Sequence, residues 1–188
     1  MSESIKGKRV AVMVANEGVE QIEMTAPIEA LKNAGAEVDL IAPEHGEVQA
    51  FNHLDKADTF RVDHSLGEVN AGDYAALVLP GGVANPDQLR TEPKAVQFVK
   101  DFFSEGKPVG AICHAPWTLV EADVVQGRTL TSWPSLKTDI ENAGGTWVDE
   151  EVHVDQGFVT SRKPDDLEAF CSKVVEEIAE GRHAGQTA

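Results

Sequence analysis

Val109-Gly110-Ala111-Ile112-Cys113-His114-Ala115-Pro116 is an apolar run of small residues that stops at a cysteine and restarts as a helix. An apolar run without alternation suits a strand buried on both faces, as in a parallel sheet. A proline three residues past the cysteine suits the first turn of a helix. The cysteine therefore sits where strand turns into helix, the geometry of a nucleophile elbow with sulfur in place of serine oxygen. Free N–H groups and the positive end of the following helix favour the thiolate and are expected to lower a pKa that is ordinarily ~8.5.

Outward from this stretch the same alternation repeats, which predicts an α/β fold: a mostly parallel sheet with crossover helices. Strands are expected at Arg9–Ala15, Glu37–Ile41, Ala75–Leu79, Pro108–Ile112 and Thr129–Thr131. Helices are expected over Gln21–Ala34, Pro93–Glu105, Ala115–Ala122, Pro134–Ala143 and Pro164–Glu180, several of them closed by glycine. Pro27 is expected to kink the first of these. Val152–Val154 and Phe158–Thr160, around Asp155-Gln156-Gly157, read as an edge hairpin. The segment Ala50–Asn70 fits no repeat and reads as an irregular excursion with one or two short strands, Thr59–Val62 among them.

With 188 residues, 41% hydrophobic and 26% charged, the chain suits one domain, 1–188, with an ordered core about 8–181 and a frayed tail Gly181–Ala188. A formal charge of −16 with no Lys/Arg-rich run repels phosphate backbones and anionic lipid, so neither nucleic acid nor membrane is an expected partner. The apolar run Val10–Ala15 is too short for a signal-peptide core or a membrane span, which points to the cytoplasm. There Cys113 and Cys171 are not expected to form a disulfide. No CxxC, HExxH or EF-hand spacing is present, so neither a metal nor another cofactor is expected.

Ligands of open α/β sheets bind at the carboxyl ends of the strands. Four such ends carry unusual residues: Asn16-Glu17-Gly18-Val19-Glu20, Pro80-Gly81-Gly82, Cys113-His114-Ala115-Pro116 and Ser132-Trp133-Pro134-Ser135. Gly81 and Gly82 let the backbone approach a ligand closely and, with the His114 N–H, are candidates for an oxyanion hole. Glu20 and Glu23, three apart, share a helix face. Whichever points at the sulfur must be largely protonated, because two anions in contact do not both persist; spacing does not choose between them. His114 adjoins Cys113, but neighbours on a helix do not face one another, so it reaches the sulfur only if the turn is irregular. Cys171 lies among Leu167, Phe170, Val174, Val175 and Ile178 at helical spacing and reads as core. The remaining histidines, including His53 and His183, show no ligand spacing and read as surface or loop residues.

Taken together, Val14–Pro27, Leu77–Gly82, Ala111–Pro116, Thr131–Ser135 and Thr160–Pro164 resemble the PfpI family of the class I glutamine-amidotransferase-like superfamily, from about Arg9 to about Glu180. The resemblance implies a three-layer flavodoxin-like sandwich and a homo-oligomer, dimer or hexamer. It implies Cys113 as nucleophile, hydrogen-bonded to a protonated glutamate, which counting back from Pro27 places at Glu23, with Glu20 one turn earlier. It also implies His114 as base, oriented in some members by an acidic residue near a subunit interface, where Asp87 falls. Trp133 and Arg162, in two of the matching stretches, are candidates for substrate binding. Two departures stand out: Asp87 replaces a glutamate of the family's protease, and Ala115 replaces a usual glycine.

Three functions follow from that family. The first is a stress-response enzyme of the glyoxalase or deglycase type, acting on small reactive carbonyls or their adducts. The second is a non-enzymatic oxidative-stress sensor or chaperone that uses Cys113 oxidation. The third is an intracellular cysteine peptidase, for which an extended cleft and a competent general acid are needed. The substrate is accordingly a small molecule or a peptide.

Overall fold

Strict alternation along the buried strands sends successive side chains to opposite faces of the sheet. In the computed structural model, which describes residues 4–186, Ala11 and Met13 of β1 (Arg9–Met13) enter one core while Val10 and Val12 enter the other. After β1 come β2 (Glu17–Glu20), α1 (Gln21–Asn33), β3 (Glu37–Ala42), β4 (Glu47–Asn52), β5 (Asp55–Arg61) and β6 (His64–Ser65). The chain continues through β7 (Ala76–Leu79), α2 (Ala84–Leu89), α3 (Pro93–Ser104), β8 (Val109–Ile112) and α4 (Pro116–Glu121). It ends with β9 (Thr129–Leu130), α5 (Lys137–Asn142), β10 (Thr146–Trp147), β11 (Val152–Asp155), β12 (Phe158–Ser161) and α6 (Leu167–Glu180).

Seven strands form the central sheet in the order β11-β12-β8-β7-β1-β3-β6, all parallel except the edge strand β11. One face is covered by α3, whose Ala95, Phe98, Val99, Phe102 and Phe103 recur at i, i+3, i+4, i+7 and i+8, with Leu119 of α4 and Ile140 of α5 beside them. The other face is covered by Met24 and Leu31 of α1 and by Phe170, Val174 and Ile178 of α6. Each such buried side chain contributes roughly 1.5–3 kcal/mol through area removed from water. Gly110 lets α6 lie close: a Cβ there would be 2.8 Å from Val174 Cγ2 and 3.1 Å from the Phe170 ring. The result is the expected three-layer, mostly parallel flavodoxin-like sandwich.

Several local expectations need correction. Thr129–Leu130 does not enter the main sheet but pairs with β10 in a separate two-stranded sheet. The place beside β8 is taken by β12, buried along its whole length, so the hairpin contributes a central parallel strand as well as the edge strand. Its turn, Gln156-Gly157, has positive φ at both residues, 50° and 86°, as a two-residue hairpin requires. Helix α1 runs through Pro27. The proline leaves the Glu23 carbonyl without its usual intrahelical donor.

Ala50–Asn70 is more regular than its sequence suggests. β4 and β5 form an antiparallel hairpin that joins β2 in a three-stranded sheet beside the main one. β5 is largely polar, and its half-buried residues Ala57 and Phe60 are three apart instead of two, which removes the alternation that identifies a strand. Ile5 and Gln186, outside the expected 8–181 core, are both fully buried. The tail docks instead of fraying: the His183 N–H donates to Gly106 O at 2.8 Å, and Arg128 donates to Gln186 O. Residues 187 and 188 of that expected frayed tail lie outside the described residues. No helix among the described residues is long and apolar enough to cross a membrane.

Candidate active site

The carboxyl ends of β1, β7 and β8 bring three of the four marked sequence stretches together. Cys113, directly after β8, takes φ 63°, a left-handed backbone that only a constrained non-glycine residue holds. Its N–H donates to Ser161 O and its carbonyl accepts from the Trp133 N–H, at 3.0 and 2.9 Å. These bonds fix the elbow between β12 and the Trp133 loop. The turn is thus irregular enough for neighbours to meet, and His114 Nδ1 lies 3.1 Å from Cys113 Sγ.

Of the two candidate glutamates, the fold selects Glu23. Its side chain is fully buried against the sulfur and the N–H groups of Gly81 and Gly82, and neither carboxyl oxygen completes a well-aligned hydrogen bond. Burial without adequate solvation raises its pKa to about 8, helped by the charge of Glu20, even though the Cys113 and glycine contacts pull the other way. Glu20 points elsewhere, accepting the His53 N–H at 3.0 Å and so anchoring the tip of the β4–β5 hairpin.

The lowered thiol pKa expected from the helix terminus is not what the site produces. Helix α4 has only six residues. Burial, together with the charge of Glu23 when ionised, pushes the Cys113 thiol up, opposed only by the Gly82 and His114 N–H groups. Glu23 and Cys113 are both pushed up, so at neutral pH each keeps its proton and the two titrate as a coupled pair. His114 is lowered by burial and is therefore neutral at pH 7. Its ring stacks on Trp133 at 5.7 Å and meets the edge of Trp117 at 5.2 Å.

Gly81 is required by space, because a Cβ there would overlap Glu23 Oε2 and lie 2.6 Å from Cys113 Cβ. Gly82 is required by conformation, with φ 84°, and by the Gly18 carbonyl beside it. Both N–H groups face the Glu23 carboxyl, and that of Gly82 also faces the sulfur. They line the surroundings of the sulfur and of the Glu23 carboxyl. Asn85 holds this loop: its Oδ1 accepts the Ala15 N–H at 2.7 Å, and its Nδ2 donates to Pro80 O and Gly81 O at 2.9 and 3.0 Å.

Above the sulfur lies a cavity of about 280 Å³ bounded by Glu20, Glu23, Cys113, His114, Gly82 and Trp133, with His53, Leu54, Val83 and Pro164 at its mouth. Two other predicted residues lie elsewhere. Arg162 is bound to Asp166 at 2.9 Å and to Asp149 at 2.8 Å, so its charge is spent on tying the β12–α6 connection. Asp87 is exposed on α2 and makes no hydrogen bond to His114 within the chain. Asn85 and the lining residues His53, Leu54 and Val83 escaped the sequence argument; the polar flanks of His53-Leu54 and the ordinary turn composition around Asn85 gave no signal.

Residues 8–177 match the sequence pattern of the DJ-1/PfpI family. The chain belongs to that family. General stress protein 18 of Bacillus subtilis (strain 168) is 44% identical over 165 residues, spanning 87% of this chain and 94% of that protein. Protein/nucleic acid deglycase 2 of Escherichia coli (strain K12) is 42% identical over 164 residues, 87% of this chain and 93% of that one. Among solved structures, Drosophila melanogaster DJ-1beta superposes with a TM-score of 0.83 at 30% identity, covering 92% of this chain and 91% of its own. Within this DJ-1/PfpI protein the methyl group of Ala115 points away from the sulfur into the core that contains Leu119, so it does not narrow the cavity.

Proposed function

We propose that this DJ-1/PfpI protein is a cysteine-dependent enzyme of small reactive carbonyls, of the glyoxalase or deglycase type. The observation that carries the reading is Cys113 Sγ at the floor of a small, largely apolar cavity, with the protonatable Glu23 on one side and neutral His114 Nδ1 at 3.1 Å on the other. A cavity of about 280 Å³ suits a small aldehyde better than an extended peptide.

The proton accounting follows from the site. As the sulfur attacks an aldehyde carbon, His114 accepts the thiol proton, so no preformed thiolate is needed. A C–S bond forms, and the carbonyl oxygen takes the proton to give a hemithioacetal. Glu23, neutral below about pH 8, donates a hydrogen bond toward the sulfur while charge develops there. With a 2-oxoaldehyde, moving the hemithioacetal C–H proton to the adjacent carbonyl carbon and its O–H proton to the oxygen on that carbon yields the thioester of a 2-hydroxy acid. Water then cleaves it, releasing a 2-hydroxy acid and restoring the thiol. The net reaction adds one water and requires no external oxidant or reductant.

The test is lactate release from methylglyoxal, with Cys113→Ser as control. Turnover lost in Cys113→Ser supports the reading. Absent turnover in the native chain, with stoichiometric Cys113 oxidation by peroxide, replaces it with the oxidation sensor. The strong negative charge of −16 disfavours a nucleic-acid adduct as substrate. The homo-oligomer, dimer or hexamer, implied by the sequence resemblance belongs to the same proposal and is read out by sedimentation.

A further inference from the structure

The second cluster of ionisable groups lies far along the chain from Cys113, at the C-terminal end of α6. Glu177, Glu180 and His183 present ligand atoms that all lie within 4.8 Å of one another, the one such trio among the described residues. His183 Nε2 is 3.1 Å from Glu177 Oε2 and 3.9 Å from Glu180 Oε2. For comparison, four-coordinate zinc with bonds of about 2.0–2.1 Å separates its ligand atoms by roughly 3.3–3.4 Å.

We propose that Glu177, Glu180 and His183 form a zinc-type divalent cation site that pins the C-terminal tail to the body of the protein. His183 Nε2 is buried and, despite its nearness to Glu177, makes no hydrogen bond. The imidazole is held there by the backbone: a Cβ on Gly157 would lie 2.5 Å from His183 Cδ2, and Gly106 lies against the His183 carbonyl. The ring is thus placed before any ion arrives, which lowers the ordering cost of binding.

Charge points the same way. Glu177 has a side chain only 9% exposed. Lys173, one turn earlier, is paired with Glu176 at 2.6 Å, and Arg182 is directed to Glu105. The carboxyl end of a helix adds its negative dipole end to the same spot. One imidazole with two carboxylates is a borderline donor set, suited to zinc more than to calcium or magnesium. A fourth position is left for water.

The experiment is calorimetric titration of Zn²⁺ into the chelator-treated full-length chain carrying Cys113→Ser, which removes the competing thiol at the other end of the sheet. One equivalent of Zn²⁺ should bind, and His183→Ala or Glu177→Gln should each weaken binding by more than about tenfold. Glu180 is 53% exposed, so Glu180→Gln tests the site without disturbing the fold and should weaken binding several-fold. Zn²⁺ should also slow hydrogen exchange at 181–186 in the Cys113→Ser chain. Absence of binding, or an affinity unchanged by Glu180→Gln and His183→Ala, overturns the proposal.

Discussion

The two cysteines of this chain are both withdrawn from water, yet only Cys113 stands among ionisable groups. Cys171 sits within α6 against the Phe170 and Val174 core, and burial alone pushes its thiol up to about 11. Cys113 is also pushed up by burial, but its backbone is left-handed, His114 Nδ1 is 3.1 Å away, and a buried, protonated carboxyl lies against it. Burial by itself makes a thiol inert. What separates the two is a base within reach, and a neighbouring acid whose own pKa has been moved into the working range.

The largest expected effect that tests this contrast is removal of the sulfur. Cys113→Ser should lower lactate release from methylglyoxal by about 10³-fold or more, whereas Cys171→Ser should leave it within about twofold. A comparable loss in both would dissolve the distinction. Next comes Glu23→Gln, expected to cost on the order of 10²-fold in turnover, a typical share for a proton-handling group.

The same substitution has a sharper signature in pH. Glu23 titrates near 8 in the fold against 4.5 when solvated, so its protonated form is the one the fold accommodates. Its contribution to stability is complete below about pH 4.5 and is lost as pH rises through about 8. Urea unfolding of the native chain should therefore show stability falling across that window by a few kcal/mol, and Glu23→Gln should flatten the fall. Alkylation of Cys113 should follow suit: above about pH 8 the ionised Glu23 opposes the thiolate, so the Gln variant should react faster relative to the native chain as pH increases.

Gly81→Ala should destabilise the chain by roughly 1–3 kcal/mol, because the added methyl collides with Glu23 and Cys113. The midpoint of denaturant unfolding measures it. The smallest effect expected is that of Asp87→Asn. Asp87 is exposed and does not touch His114 within the chain, so turnover should change by less than about threefold. A loss near 10²-fold would mean that Asp87 orients His114 from a neighbouring subunit, and would extend the difference between the cysteines to the oligomer.

Much of the fold was legible because it follows from periodicity. Val10–Ala15, Ala75–Leu79 and Val109–Ile112 are apolar runs ended by Asn16, Pro80 and the Cys113-His114 turn, and each supplies a strand of the parallel sheet. Thr129–Thr131 misled because three residues carry no period, and of β5 only the Thr59–Arg61 end was legible because the largely polar residues before it leave no alternation. In the site, Cys113, Gly81 and Gly82 announced themselves through residue type at a strand end. Arg162 misled because its motif position is a structural one, closed by Asp149 and Asp166. Asn85 gave no sign, since its value lies in three backbone partners from two different loops.

By itself the sequence determined that a cysteine would stand at the end of a buried strand, before a helix and beside a pair of glycines, because strand, turn and proline preferences act between near neighbours. Residue spacing left Glu20 and Glu23 open and the family resemblance pointed to Glu23; the tertiary structure decided that Glu23 meets the sulfur and that His114 turns back onto its own neighbour. It also decided that Glu177, Glu180 and His183 converge across a helix end. Those choices depend on burial, on a positive φ at Cys113 and on contacts between distant segments, where desolvation and distance set the energy.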